Sequence, residues 1–374
     1  MSWVPPRSIP NLAVKPSHAD GSTLFLRENF FVLSFLLFIL KKGEFLMIRF
    51  GIIGTNFITE RFLEAAKLIK NFKLNAVYSR TEKRAKEFAI KYDVKNIFTN
   101  LEQLSKSDLI DAIYIASPNS LHHDQTLLFL QNNKSVLCEK PIASNLKELK
   151  NMIEVSKKNK VLLMEALKGS FLPNYISIKE NLYKIGKVRK YISNFCQYSS
   201  RYDKYKNNEL PNTFNPIFSN GALMDIGIYT IYPLIDIFGM PKNIKSESLL
   251  LDSGVDGQGT AILEYNEMEG IINYSKISNS KLFNEIQGEK GTILIDKISQ
   301  PSDIKIFYND GSIENITKNQ IDQNMYYEIE HFINLIENNI IESPINTFDL
   351  SLKVMSIIEN IRKQNSIIYP ADNK

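Results

Sequence analysis

Apolar and polar positions along the chain fall into two regimes. From residue 47, short apolar runs take turns with stretches whose apolar residues recur at helical spacing. Residues 48–53 (IRFGII) form one such run, and 57–69 place Ile58, Phe62, Ala65, Ala66 and Ile69 on one helical face. The runs 74–78 (LNAVY), 111–116 (DAIYIA), 135–138 (SVLC) and 161–166 (VLLMEA) predict further strands, and 82–91, 121–131 and 146–157 predict the helices between them. Strands separated by single helices predict a parallel sheet covered on both faces. Right-handed crossovers make that alternation a doubly wound α/β sheet of the Rossmann, nucleotide-binding type.

After about residue 187 strand-like segments dominate: 188–198, 246–251, 260–265, 270–275, 283–287, 292–295 and 303–308. Several are joined by short turns containing Asn or Gly, as hairpins are. This predicts an α+β C-terminal domain with a large, mostly antiparallel sheet, closed by helices near 324–337 and 348–363. The expected division is a dinucleotide-binding Rossmann domain at 47–168 and a substrate-binding and oligomerisation domain at 169–374.

The first 46 residues follow neither regime. An apolar run at 30–40 (FFVLSFLLFIL) is followed by KKGEFL and then Met47. Eleven residues are too few for a membrane-spanning helix, which needs about 20. No small-residue cleavage site follows, as an export signal would require. Lys-Gly-Glu can be written in purine-rich codons that resemble a bacterial ribosome-binding sequence. The expectation is that Met47 is the true start and that 1–46 is a non-native or disordered extension; a membrane anchor or export signal is the alternative.

Composition narrows the partners. Hydrophobic residues make up 44% of the 374 and charged residues 23%, as in an ordinary globular protein. Lys and Arg number 45 against 41 Asp and Glu, and no basic block stands out, which argues against nucleic acid. Two cysteines, Cys138 and Cys196, make neither a disulfide framework nor a thiolate zinc site, and four histidines leave little for a metal centre. The expected protein is cytoplasmic, binds a small molecule, and contacts neither membrane nor metal.

Candidate chemistry begins at the turn after the first strand, Gly54-Thr55-Asn56-Phe57-Ile58-Thr59. A dinucleotide fingerprint G-x-G-x-x-G/A started at Gly54 would set Asn56 and Thr59 at its second and third glycines. Asn tolerates a left-handed backbone better than most residues, so Asn56 could still make the tight turn. The helix start behind it would offer N–H groups to a pyrophosphate. At the end of the second strand, where an acid would grip the ribose of NAD, the chain has Ser79-Arg80-Thr81 and then Lys83 and Arg84. A guanidinium there suits a 2′-phosphate, so NADP is expected, with NAD as the alternative.

Four motifs then carry a resemblance: SPNSLHHDQTLLFL, VLCEKP, MEALKGSFLP and NGALMDIGIY. Together they resemble the glucose–fructose oxidoreductase/inositol dehydrogenase superfamily (Gfo/Idh/MocA) from Met47 to about Gly259. Tyr229, where many sugar dehydrogenases of the superfamily have His, resembles the branch of dimeric dihydrodiol dehydrogenase, D-xylose dehydrogenase and glucose–fructose oxidoreductase. Two motifs depart from that branch. Lys168-Gly169-Ser170 replaces an aromatic-Thr-Arg, and Asn220-Gly221 replaces Gly-Gly.

The resemblance implies hydride transfer between nicotinamide and a carbinol or carbonyl of a sugar, cyclic polyol or trans-dihydrodiol. Tyr229 is then the acid/base, Lys140 the ammonium that stabilises its phenolate, and Asp225 a group that orients substrate hydroxyls. Read singly, Lys140 is a loop lysine, Tyr229 a core aromatic and Asp225 a structural hydrogen-bonding group; their joint spacing favours the site. On a regular helix, Asp225 and Tyr229 would share a face. Gly227 between them suggests close packing beside cofactor or substrate.

Ser117, Pro118, Asn119 and His122 match the family's cofactor-bordering loop, although Asn119 is also a plausible helix N-cap. Glu139 is expected near the nicotinamide ribose or the backbone. Arg201, in the polar-aromatic run QYSSRYDKY, is a candidate substrate contact. The resemblance further implies a homodimer or higher homo-oligomer through the open sheet. A catalytically silent nucleotide sensor of the same fold is the alternative function.

Overall fold

The computed structural model describes residues 47–373; the apolar run at 30–40 and the expected start segment lie outside the described residues. Six parallel strands form the first sheet in the order β3-β2-β1-β4-β5-β6. They are β1 (Ile48–Ile53), β2 (Phe72–Tyr78), β3 (Asn96–Phe98), β4 (Ala112–Ile115), β5 (Ser135–Glu139) and β6 (Leu163–Ala166). The helices between them are α1 (Phe57–Ala66), α2 (Glu82–Lys91), α3 (Leu101–Ser105), α4 (His122–Gln131) and α5 (Leu146–Asn159). This order places the crevice where the chain reverses direction, at the carboxyl ends of β1 and β4.

The apolar runs form strands because both faces are covered. Phe50 and Ile52 point into one core with Phe62 and Tyr114, and Ile53 and Ile113 point into the other. Phe62 stacks on Tyr114 with ring centroids 3.9 Å apart.

The chain crosses over through α6 (Pro173–Asn181) into an eight-stranded sheet, ordered β14-β13-β12-β11-β7-β10-β9-β8. Its strands are β7 (Val188–Cys196), β8 (Asn243–Leu250), β9 (Asp256–Glu264), β10 (Glu269–Ser275), β11 (Asn284–Gly288), β12 (Gly291–Ile295), β13 (Ile304–Tyr308) and β14 (Ile313–Asn315). Every neighbouring pair is antiparallel except β7 and β10, which run parallel at the centre. Between β7 and β8 lie α7 (Ser200–Lys206), a π-helical turn at Leu223–Gly227, and α8 (Ile228–Phe238).

Two helices end the described chain, α9 (Tyr326–Glu337) and α10 (Phe348–Gln364). The expected boundary put everything after residue 168 with the second sheet. Instead α9 returns to the first: Ile329, Phe332 and Ile333 pack with Phe50 and Phe62, and the Phe50–Phe332 centroids are 5.9 Å apart.

Candidate active site

The turn after β1 is built by three residues. Gly54 has φ +104°, and a Cβ there would stand 2.5 Å from the Ala116 carbonyl oxygen, so only glycine lets β1 and β4 approach here. Asn56 does not use a left-handed backbone; its φ is −106° and ψ −179°. It caps α1 instead, its Oδ1 accepting from the N–H groups of Ile58 (3.1 Å) and Thr59 (3.3 Å), while its Nδ2 donates to Ala116 O at 3.0 Å. Thr59 donates from Oγ1 to Gly54 O at 2.9 Å. The missing glycines are thus replaced by side-chain hydrogen bonds that close the same turn, and two helix-start N–H groups are already satisfied within it.

A cleft of about 690 Å³ opens beside this turn, lined by Gly54, Thr55, Asn56, Ser79, Arg80 and Arg84 together with Ser117, Pro118 and Gln125. Arg80 is exposed at the end of β2. Arg84, part of the basic segment but not singled out from the sequence, grips the turn: its Nε donates to Thr55 Oγ1 at 3.0 Å and its Nη2 to Thr55 O at 2.9 Å. Ser117 donates to Gln125 Oε1 at 2.7 Å. Phe57 is 72% exposed and lines a separate hollow with Glu60 and Arg61, and Ile58 packs against the core that holds Phe62, so neither lines the cleft as expected of them.

The loop after β4 ties the parts together. Asn119 is neither a helix cap nor a cleft residue: it is buried, and its Nδ2 donates to Ser219 O at 2.9 Å, 100 residues along the chain. His122 is buried between two carbonyls, Nδ1 2.9 Å from Pro141 O and Nε2 2.9 Å from Ser117 O. Burial pushes its imidazole below the usual range, so the neutral ring donates to one of them. His122 therefore fixes the loop, with no ring nitrogen left for a ligand. Glu139 is also buried; it accepts from Tyr114 Oη at 2.6 Å and from the Lys140 backbone N–H at 3.2 Å, and burial raises its carboxyl despite the Tyr114 hydrogen bond.

Lys140 follows β5 and is joined to Pro141 by a cis peptide bond. Its Nζ donates to Asp225 Oδ1 at 2.9 Å and to Asp225 O at 2.6 Å, and it stands 5.0 Å from the centroid of the Tyr229 ring. Asp225 and Tyr229 do not share a regular helical face, because the π-helical turn falls between them. Gly227 is close-packed for a different reason than expected: its missing Cβ makes room for Leu223 and the Tyr274 ring, at 3.1 and 3.2 Å. The turn itself is held by buried Asp256, whose Oδ2 accepts from Leu223 N at 2.6 Å.

Burial raises the Tyr229 phenol, and Lys140 opposes that rise; the balance is upward, so Lys140 limits the shift rather than reversing it. Arg201 is exposed at the start of α7 and donates from Nη1 to Thr213 Oγ1 at 2.7 Å.

One feature escaped the sequence reading, and a second was noted there only as a departure from the family's motif. Lys276, just beyond β10, ion-pairs with Asp225 Oδ2. Lys168 sits near buried Glu139 and Glu328; burial and Arg61 push its ammonium down to about 8, while both Glu328 oxygens lack a hydrogen-bond partner and that carboxyl is pushed well up. A lysine at the end of a strand or in a loop carries no pattern that separates it from a solvated one.

A doubly wound sheet with a cleft at the carboxyl ends of its strands, together with a lysine paired to an aspartate and lying over a tyrosine ring, defines a nicotinamide-dependent oxidoreductase. The comparisons agree. Residues 48–167 match the oxidoreductase family with the NAD-binding Rossmann fold (GFO_IDH_MocA), and residues 183–294 match the GFO/IDH/MocA C-terminal domain. The chain belongs to the Gfo/Idh/MocA oxidoreductase family and is an NAD(P)-dependent dehydrogenase/reductase.

Among its relatives, the scyllo-inositol 2-dehydrogenase (NADP(+)) IolU of Bacillus subtilis (strain 168) is 52% identical over 87% of this chain and 99% of that protein. The trans-1,2-dihydrobenzene-1,2-diol dehydrogenase of Xenopus tropicalis is 28% identical over 86% of this chain and 99% of its own length. The crystal structure of KijD10, a 3-ketoreductase from Actinomadura kijaniata in complex with NADP and TDP-benzene, superposes with TM-score 0.75 over 86% of this chain and 99% of that one; at 22% identity it speaks for the fold.

Proposed function

We propose that the protein interconverts a ring carbinol of a cyclic polyol and the corresponding ketone, with NADP as its cofactor. The observation that carries this is the Lys140 ammonium, bonded to Asp225 and lying over the Tyr229 ring. Tyr229 takes the hydroxyl proton when the carbinol is oxidised and returns it when the carbonyl is reduced. Its phenol is raised by burial, so phenolate forms only with the help of the Lys140 charge. Asp225 accepts hydrogen bonds from hydroxyls beside the reacting carbon. Arg201 is a substrate contact at the rim.

The cleft residues fit the cofactor. Gly54, Thr55, Ser79 and Arg80 line the cleft together, and the Ser79 hydroxyl and Arg80 guanidinium suit a ribose 2′-phosphate. Nicotinamide, when bound, supplies the hydride acceptor or donor. The 52% identical scyllo-inositol dehydrogenase supports the cyclic polyol over an open sugar or a dihydrodiol. We also propose that the protein is cytoplasmic and forms a homo-oligomer through the open face of the large sheet, where Leu249 and Ile262 are exposed.

The test is a panel of scyllo-inositol, other inositols, aldoses and a trans-dihydrodiol, each with NADP+ and NAD+, followed at the nicotinamide absorbance. The expected result is turnover of an inositol with NADP+ favoured. Failure of every polyol, with turnover of aldoses or dihydrodiols only, overturns the substrate assignment.

A further inference from the structure

Lys276 has no place in the reaction described so far, yet it is part of the site. It is 7% exposed, and its ammonium ion-pairs with Asp225 Oδ2 while Lys140 holds Oδ1. Its backbone is pinned on both sides: its N–H donates to Gly257 O of β9 at 2.9 Å, and its carbonyl accepts from Ser199 N, at the start of α7, also at 2.9 Å. The charged groups that face it are Asp225, Lys140 and Arg201.

A lysine is rarely this buried without a reason, and here two ammonium groups share one carboxylate. If Lys140 and Asp225 were alone, the whole carboxylate charge would fall on Lys140 and offset its effect on Tyr229. With Lys276 on the other oxygen, Asp225 is anchored to the large sheet and its charge is divided.

We propose that Lys276 is a positioning residue for the hydride-transfer reaction, anchoring Asp225 through Oδ2 so that the Lys140 ammonium stays directed at Tyr229. This rests on the reading of Lys140 and Tyr229 given above. Burial, Lys140 and Arg201 push the Lys276 ammonium down to about 7, although it ion-pairs with Asp225. The anchor is therefore charged below that pH and weakens above it.

The experiment follows kcat and KM from pH 6 to 9 for reduction, by NADPH, of the ketone obtained by oxidising one ring carbon of scyllo-inositol. In this direction Tyr229 acts as the acid and stays protonated throughout. Lys276→Met is expected to lose roughly tenfold or more in kcat at pH 6, with KM and NADPH affinity little changed. Lys276→Arg, charged at every pH, is expected to restore kcat and to hold it above pH 7, where the wild type declines. Lys276→Gln replaces the Met variant should that one not fold.

A Met or Gln variant with wild-type kcat, or one that keeps the wild-type inflection near pH 7, overturns the inference. Tyr229→Phe, measured alongside, separates the two readings. If it stays active, the acid/base assignment fails, and the inference fails with it. If it is inactive while the Lys276 variants behave as wild type, the inference alone fails.

Discussion

Lys140 Nζ and Asp225 Oδ1 meet at 2.9 Å although Lys140 follows the last residue of β5 in the parallel sheet and Asp225 rides on the π-helical turn over the antiparallel one. Removing either partner leaves a partly buried charge without its counterpart. Lys140→Met and Tyr229→Phe are each expected to lower kcat by about 10²–10⁴, the usual worth of a positioned acid/base. NADPH affinity, read from nicotinamide fluorescence, is expected to stay within a few-fold of wild type, because neither side chain lines the dinucleotide cleft. Near-wild-type kcat in either variant would refute the mechanism.

Arg80 is the proposed grip on a ribose 2′-phosphate. A charge-assisted hydrogen bond contributes about 1.5–3 kcal/mol, so Arg80→Ala is expected to weaken NADPH binding by about ten- to a hundredfold and to leave NADH binding almost unchanged. Titration of both cofactors against both proteins checks this. An unmutated protein that binds them equally would remove the preference.

Asp256 gives a stability signature. Burial holds its carboxyl up at about 6, above the 3.8 of an exposed aspartate, although the Leu223 N–H favours the charged form. Between those values the folded chain holds more protons than the unfolded one, so stability is greatest below the unfolded pKa and is lost as pH rises through about 6. The shift corresponds to about 3 kcal/mol. Asp256→Asn keeps an acceptor for Leu223 N and cannot ionise. Its melting temperature is expected to fall less than that of the wild type between pH 4 and 7, and parallel curves would refute the assignment.

Gly54 combines a left-handed backbone with the approach of Ala116 O. Gly54→Ala is expected to cost about 2 kcal/mol or more in denaturant unfolding and to weaken NADPH binding, because strain and steric overlap act together. A variant as stable as wild type would show that the turn can relax.

The parallel sheet was readable because its strands, covered on both faces, are unbroken apolar runs separated by helices of clear period. β3 and α3 were not, since three and five residues hold too little pattern. The central parallel pair β7–β10 was hidden for another reason: those strands lie more than 70 residues apart, and direction of pairing is set by the path between them. In the site, the motifs singled out Asn119, His122 and Glu139, but not the distant partners of their side chains. Their partners are Ser219 O, Pro141 O and Tyr114 Oη, contacts that only the folded chain brings together. Lys276 was illegible because it stands alone after a strand, and its meaning comes entirely from Asp225.

The lysine–aspartate pair has one more consequence. Because each half of the chain supplies one partner, a fragment ending near residue 167 would keep Lys140 but lose Asp225 and Tyr229, the cleft-lining Asn212 and Phe218, and the α9 residues that cover Phe50 and Phe62. Under the proposed chemistry, the counter-charge and the acid/base both come from the second half of the chain, so the reaction waits on its completion.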